Sequence, residues 1–372
     1  MKLSSLFRFL TLDVGIDLGT ANTLVYVKGK GIVIREPSVV AMRKKSKQVI
    51  AIGSEAKKMV GKTPASIITV RPLKGGVISD FDATQAMIAH YIKQVLALGT
   101  PVQSIVGRPR VVIGIPSSVT EVERRAVWEA ALHAGAGEAY LIEEPMAAAI
   151  GENISVGAST GAMVVDIGGG TTEIAVISLG GIVVSRSLKV AGDDMDQAIL
   201  HYMRLRHGIL LGERTAEDLK ISIGTAYQKT TRARAKAKEE EKDSEMKSPN
   251  ESAEKMAIVR GRDIETGLPR SIKVTEAEVR EALSPVLRQI IEGIADAIEE
   301  APPELLGDIL ERGILVTGGG SNLSGLDQLI VERTHMPVIL SDDSLTSVVR
   351  GTGKVLEDQD LLDRVKVIGG LK

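Results

Sequence analysis

The 372-residue chain contains no cysteine. That excludes disulfides and thiolate metal sites and suits a reducing compartment. Aromatic residues make up 2% of the chain and histidines number 5. Those are too few for base-stacking surfaces or a His-rich metal centre. Lys+Arg total 46 against 48 Asp+Glu, a formal net charge of -2, so no long-range attraction to nucleic acid is expected. No run approaches the roughly 18 consecutive apolar residues of a membrane-spanning helix. Two familiar nucleotide signatures are missing as well. No G-x-G-x-x-G occurs, and "GKT" at 61–63 lacks the P-loop glycine because position 56 is Ala.

Hydrophobic residues reach 44%, enough for two ordinary domains or one large one. The most informative feature is a repeat. "VGIDLGTANTLVYV" (14–27) and "VVDIGGGTTEIAVI" (164–177) share one pattern. Each is an apolar strand ending in Asp, a Gly-rich turn with Thr, and a second β-rich run. Residues 12–40 and 161–190 read as hairpins, and 82–98 and 120–135 as helices. Residues 110–118 read as a buried strand, and 141–151 as a strand end entering a helix. Helices are expected over 193–212 and 214–224, and again over 276–300 behind the capping box Thr275-x-x-Glu278. Residues 312–330 read as strand, glycine turn, helix. Hairpins followed by helices, twice, predict an α/β fold made by duplication.

Paired glycine hairpins suit a phosphate site. Without a Cβ, backbone N–H groups can approach phosphate oxygens closely. Gly19, Thr20, Ala21 and Asn22 form the first turn; Gly168, Gly169, Gly170 and Thr171 form the second. Asp17 and Asp166, one before each turn, suit Mg2+, which takes carboxylates together with phosphate oxygens and retained water. A single such turn is usually only a hairpin; two in matching context predict one per domain with a triphosphate between them. A third turn, Gly318, Gly319 and Gly320 with Ser321, reads either as close approach to a ligand or as a plain strand–helix turn. Glu217 and Lys220 are neighbours on a polar helix and read by themselves as a surface ion pair. Glu144, just before Pro145, is placed to hold an attacking water, with the Thr171 hydroxyl as its candidate helper. Glu143 is its rival, since strand alternation lets only one of them face a shared cleft.

Two other stretches have alternatives of their own. Leu3, Leu6, Phe7 and Leu10 give residues 1–11 one apolar helical face, either a membrane-interface segment or a frayed end stapled to the core. Residues 228–257 set a basic block before an acidic one, with hardly any large apolar residue. They read as a charged, disordered insertion, the alternative being a partner-binding arm.

"DLGTANT", "EEPMAAAIG", "VVDIGGGTTE", "AGDDMD", "GERTAEDLK" and "GILVTGGGSNLSGLD" resemble the phosphate, connector and adenosine motifs of the actin/heat-shock-chaperone/sugar-kinase superfamily. "GIDLGTANTLVYVKGKGIVIREPSVVA", "RPLKGGVISDF", "GLPRSI" and "PPELLGDILERGI" narrow the resemblance to the bacterial actins of the MreB family, over about residues 12–356. The resemblance implies actin-like duplicated ribonuclease-H-like domains, four subdomains around a central nucleotide cleft. Domain I would cover 12–148 with 345–372 packed back on it, and domain II 149–344. It implies ATP and Mg2+ as cofactors, weak ATPase activity, and self-assembly into antiparallel double filaments. These would lie on the inner face of the cell membrane and organise cell-wall elongation and rod shape, with RodZ, MreC and MreD as partners. Carried over by position, Asp17 and Asp166 serve the metal, the two glycine loops the phosphates, and Glu144 with Thr171 the attacking water. Glu217, Lys220 and Gly318–Ser321 line the nucleoside, and Ile105 and Val106 fall in the family's membrane loop. Residues 228–257 depart from the pattern, where a short link is usual.

Two other functions compete. A sugar-kinase-like phosphotransferase needs an Asp base and a sugar pocket, and no further motif supplies them. A nucleotide-binding scaffold would lack turnover. A chaperone-type ATPase needs a peptide-binding domain, and the chain ends soon after the last matched motif.

Overall fold

The computed structural model describes residues 12–100, 108–227 and 255–367. The chain opens with an antiparallel meander, β1 (Asp13–Leu18), β2 (Asn22–Val27) and β3 (Gly31–Pro37). A small lobe follows: β4 (Val40–Arg43), β5 (Val49–Ile52), helix α1 (Ser54–Met59) and β6 (Ile67–Val70), in sheet order β5-β4-β6. The hairpin β7 (Leu73–Lys74)–β8 (Val77–Ile78) and helix α2 (Phe81–Ala97) lead to β9 (Arg110–Ile115), helix α3 (Glu121–His133) and β10 (Glu138–Glu143). Strands β9 and β10 join the meander in parallel, giving the order β10-β9-β1-β2-β3. Helix α4 (Glu144–Gly151) leaves this sheet.

The second half writes the same topology again. A meander, β11 (Ala162–Ile167), β12 (Thr172–Ser178) and β13 (Gly181–Leu188), is followed by α5 (Gly192–His207). An inserted lobe holds β14 (Ile209–Leu210), α6 (Glu213–Ile223), β15 (Met256–Asp263) and β16 (Pro269–Thr275), in the order β14-β15-β16. Then come α7 (Glu276–Glu300), α8 (Pro303–Arg312), β17 (Ile314–Thr317), a 3-10 turn at Gly319–Asn322, α9 (Leu326–Thr334) and β18 (Val338–Leu340). Strands β17 and β18 add in parallel, giving β13-β12-β11-β17-β18. Both five-stranded sheets share strand order and pairing sense, and each insertion falls between the meander and the first parallel strand. Helices α10 (Ser347–Glu357) and α11 (Gln359–Val365) close the chain. The described residues form two compact units, one within Met1–Asp193, Glu292–Ser321 and Met336–Lys372, the other within Asp194–Ile291 and Asn322–His335.

Local chemistry explains the elements. Leu179 and Gly180 turn β12 into β13 with φ of 54° and 80°, the double positive φ of a type I′ turn, whose twist matches the strands it joins. β12 is buried at all seven positions, as expected of a strand covered on both faces. The capping box of α7 is formed: the Thr275 amide donates to Glu278 Oε2 at 2.9 Å, and the Glu278 amide to Thr275 Oγ1 at 3.3 Å.

Two expectations need correction. The helix expected over 193–212 ends at His207. Gly208 takes a φ of +62°, and Ile209 and Leu210 pair with Asp263 and Arg262 of β15. Tertiary pairing overrides a helical pattern there. The charged insertion expected over 228–257 is shorter at its end, because Met256 and Ala257 already pair with Thr275 and Val274. Residues 228–254, residues 1–11 with Leu3, Leu6, Phe7 and Leu10, and the pair Ile105 and Val106 lie outside the described residues. Among the described residues, no helix is long and apolar enough to cross a membrane.

Candidate functional site

Asp17 sits near the end of β1, and Asp166 near the end of β11. β9 and β12 set their neighbours: Asp17 lies opposite Gly114, and Asp166 opposite Glu173. Glu144 is the first residue of α4, directly after β10, and Pro145 fixes the helix start. A Cβ on Gly114 would press on the Val348 side chain at 3.0 Å and would lie in ordinary contact with Glu144 Cγ at 3.5 Å, so Glu144 packs over the end of β9 beside Asp17. Four carboxylates therefore share one electrostatic field. Burial, then the charge of Asp166, push Asp17 up to about 8. Burial, then Glu173, push Asp166 up to about 7. Glu144 is also held well above the usual carboxylate range, by burial first and then by Glu173, Asp17 and Asp166. Glu143 is raised by burial too, against the lowering charge of Arg124, and its own charge raises Glu173.

The glycine loops come together around these acids. A Cβ on Gly169 would lie 2.6 Å from the Ala21 side chain, and one on Gly170 2.8 Å from Thr20 Oγ1. The two turns thus approach as closely as backbone allows. The β7–β8 turn completes the cradle: the Gly76 amide donates to Thr20 Oγ1 at 3.2 Å, and a Cβ on Gly76 would crowd Pro116 and Thr171. Gly76 has a φ of +73°, which a side chain would strain. The second loop is tied to the start of α5, whose Gly192 and Asp193 amides donate to the Gly168 and Gly169 carbonyls at 3.2 and 2.7 Å. The first is braced by Ser38, whose hydroxyl donates to the Gly19 carbonyl at 2.6 Å.

Other expected residues have visible neighbours. Thr171 is buried, and its hydroxyl lies close enough to Glu173 to lower that carboxyl slightly against the effect of burial. Gly318 and Gly320 pack against the end of β11: a Cβ on Gly318 would overlap the Asp166 carboxylate, and one on Gly320 would meet Ile167. That packing gives the "TGGG" turn a reason for glycine that needs no ligand. The Ser321 hydroxyl donates to the Gly318 carbonyl at 2.7 Å. Glu217 and Lys220 belong to the other compact unit, on α6. There Lys220 Nζ pairs with Asp196 Oδ1 at 2.8 Å, so the ion pair expected of Lys220 has Asp196 as a partner. Asp196 is the last residue of the "AGDDMD" motif.

The largest omission is Glu173. It is 1% exposed, accepts from Ser187 Oγ at 2.6 Å, and accepts from the Ser117 amide at 3.1 Å. It therefore joins the loop after β9 to the strand after the second glycine turn. A charged residue inside a seven-residue apolar strand was the available signal.

Two meander-plus-parallel sheets with a glycine hairpin and an acid in each define the actin-like fold. A family profile described as MreB/Mbl protein matches residues 11–364. The cell shape-determining protein Mbl of Bacillus subtilis (strain 168) is 45% identical over 95% of this chain and 98% of its own. The cell shape-determining protein MreB of Escherichia coli (strain K12) is 48% identical over 94% of each. Among solved structures, MreB5 of Spiroplasma citri bound to ADP superposes with a TM-score of 0.82, at 36% identity over 95% of this chain and 98% of that one. A MamK double helical filament, at 22% identity and a TM-score of 0.73, shares the fold. The chain belongs to the MreB/Mbl family of cell shape-determining proteins.

Proposed function

We propose that the protein binds ATP with Mg2+ at the two glycine hairpins, hydrolyses it slowly, and assembles with copies of itself into filaments on the inner membrane surface. The observation that carries this reading is the convergence of Asp17, Asp166 and Glu144 beside two loops packed together without side chains. Among the described residues no three acids cluster as a metal site by themselves, so Asp17 and Asp166, both raised by burial and by neighbouring carboxylates, suit a divalent cation that takes its other ligands from phosphate oxygens and water. A bound Mg2+ would neutralise charge on the β- and γ-phosphates. The amides of Gly19–Asn22 and Gly168–Gly170 would cradle phosphate oxygens. Glu144 would accept a proton from the attacking water; a carboxylate raised above its usual range is a stronger base, when ionised, than an ordinary one. Thr171, buried beside Glu173, would help fix that geometry.

MreB5 of Spiroplasma citri has been solved with ADP and with AMPPNP, and MamK as a filament; both support the reading. Antiparallel double filaments, the contacts of residues 1–11, Ile105 and Val106 with lipid, and RodZ, MreC and MreD as partners belong to the same proposal, as do two domains meeting near residue 148.

Phosphate release from Mg-ATP, beside direct titration of nucleotide binding, tests the site. Glu144→Ala should bind nucleotide as wild type does and lose about 100-fold in turnover, the lower range for a general base. Equal turnover in both would remove Glu144 from the mechanism.

A further inference from the structure

The small lobe β5-β4-β6 is basic, against the slightly acidic balance of the whole chain. Residues 43–66 hold seven Lys and Arg against one acid, Glu55, while the whole chain is at -2. Glu55 pairs with Lys58 at 2.7 Å. Arg43, Lys44, Lys45 and Lys47 are exposed in the β4–β5 turn, and no acidic side chain pairs with them among the described residues.

The turn is built rigidly. The Arg43 amide donates to the Gln48 carbonyl at 2.9 Å, and the Lys47 amide to the Arg43 carbonyl at 3.0 Å. Lys47 takes a left-handed φ of 57°, which closes the loop. The Lys44 amide donates to the Ser66 carbonyl at 2.9 Å. Arg43 lies opposite Ile67 on β6. The loop leading into β6, with exposed Lys62, therefore lies at the same end of the sheet as the turn. Aliphatic side chains flank these cations: Val49 and Ile50 are 36% and 43% exposed, and Val60 is 37% exposed. No aromatic residue occurs in 43–66.

We propose that this end of the β5-β4-β6 lobe docks on an anionic lipid surface, the cations on headgroup phosphates and the aliphatic side chains at the interface. Interspersed cations and exposed aliphatics without acids match the chemistry of an anionic bilayer. The absence of aromatics argues against single-stranded nucleic acid. A turn fixed by backbone hydrogen bonds presents the charges with little ordering cost. The inference rests on the proposed function only in sharing a membrane as partner, and it names residues distinct from 1–11, Ile105 and Val106.

Flotation of the full chain with vesicles of phosphatidylcholine alone, or mixed with phosphatidylglycerol, tests it. Lys44→Gln/Lys45→Gln/Lys47→Gln should weaken partitioning onto the anionic vesicles about 100-fold, since each of the three cations contributes about fivefold near such a surface. Wild type should lose the same advantage in high salt. Nucleotide binding should be unchanged, showing the fold intact. Equal flotation of both proteins overturns the inference and leaves the proposed function standing. No flotation of wild type removes the membrane from both. Loss of binding to immobilised polyglutamate, with vesicle binding unaltered, would assign the surface to an acidic polypeptide and overturn the lipid reading.

Discussion

Asp17, Asp166, Glu144 and Glu173 give the site a pH signature. Folded Asp17 and Asp166 are held at about 8 and about 7; unfolded, both titrate near 4, at about 3.9. Between those values the folded chain keeps protons the unfolded chain has released. Stability from the pair is therefore fully present below about pH 4 and is lost as pH rises through about 7 to 8. Nucleotide-free protein should show a Tm that falls as pH rises from about 6 to about 8.5 across that window. Asp17→Asn/Asp166→Asn should flatten the slope; an unaltered slope would place the titration elsewhere. The two aspartates were legible because each closes an apolar run before a glycine turn. Glu173 was not, because the Ser117 amide it accepts from is 56 positions away, and no local pattern encodes that pairing.

Helices α4 and α10 cross at two glycines. A Cβ on Gly351 would sit on the Ala147 carbonyl oxygen, and one on Gly151 on the Ser347 carbonyl oxygen. Backbone is thus packed on backbone beneath Glu144, which heads α4. Gly351→Ala should destabilise the chain by about 1–3 kcal/mol, the usual cost of overpacking. Gly307 in α8 has nothing within 4 Å of its Cβ position. Gly307→Ala should instead stabilise by about 0.5–1 kcal/mol through helix propensity. Thermal melts of the two variants check the contrast, and shifts of the same sign would contradict it. Capping and hairpin signals were legible at this scale: Thr275 and Glu278 are three residues apart, and both meanders are local. The end of α5 was not, since His207 stops it only because Ile209 pairs with Asp263 across the insertion.

The whole chain repeats one topology, and the repetition was legible because both hairpins kept their Asp, glycine and threonine. The helix crossing and the lobe geometry were not, since they depend on strands far apart in sequence. Duplication explains how two glycine hairpins come to share one field of acids: each sheet supplies one. If a nucleotide there governs assembly, filaments and nucleotide must rise and fall together. Electron microscopy of the purified chain on anionic liposomes, with Mg-ATP and with no nucleotide, measures that coupling. The prediction is filaments on the lipid surface with Mg-ATP and none without. Dispersed particles that turn over ATP under the same conditions, or filaments indifferent to nucleotide, would contradict it.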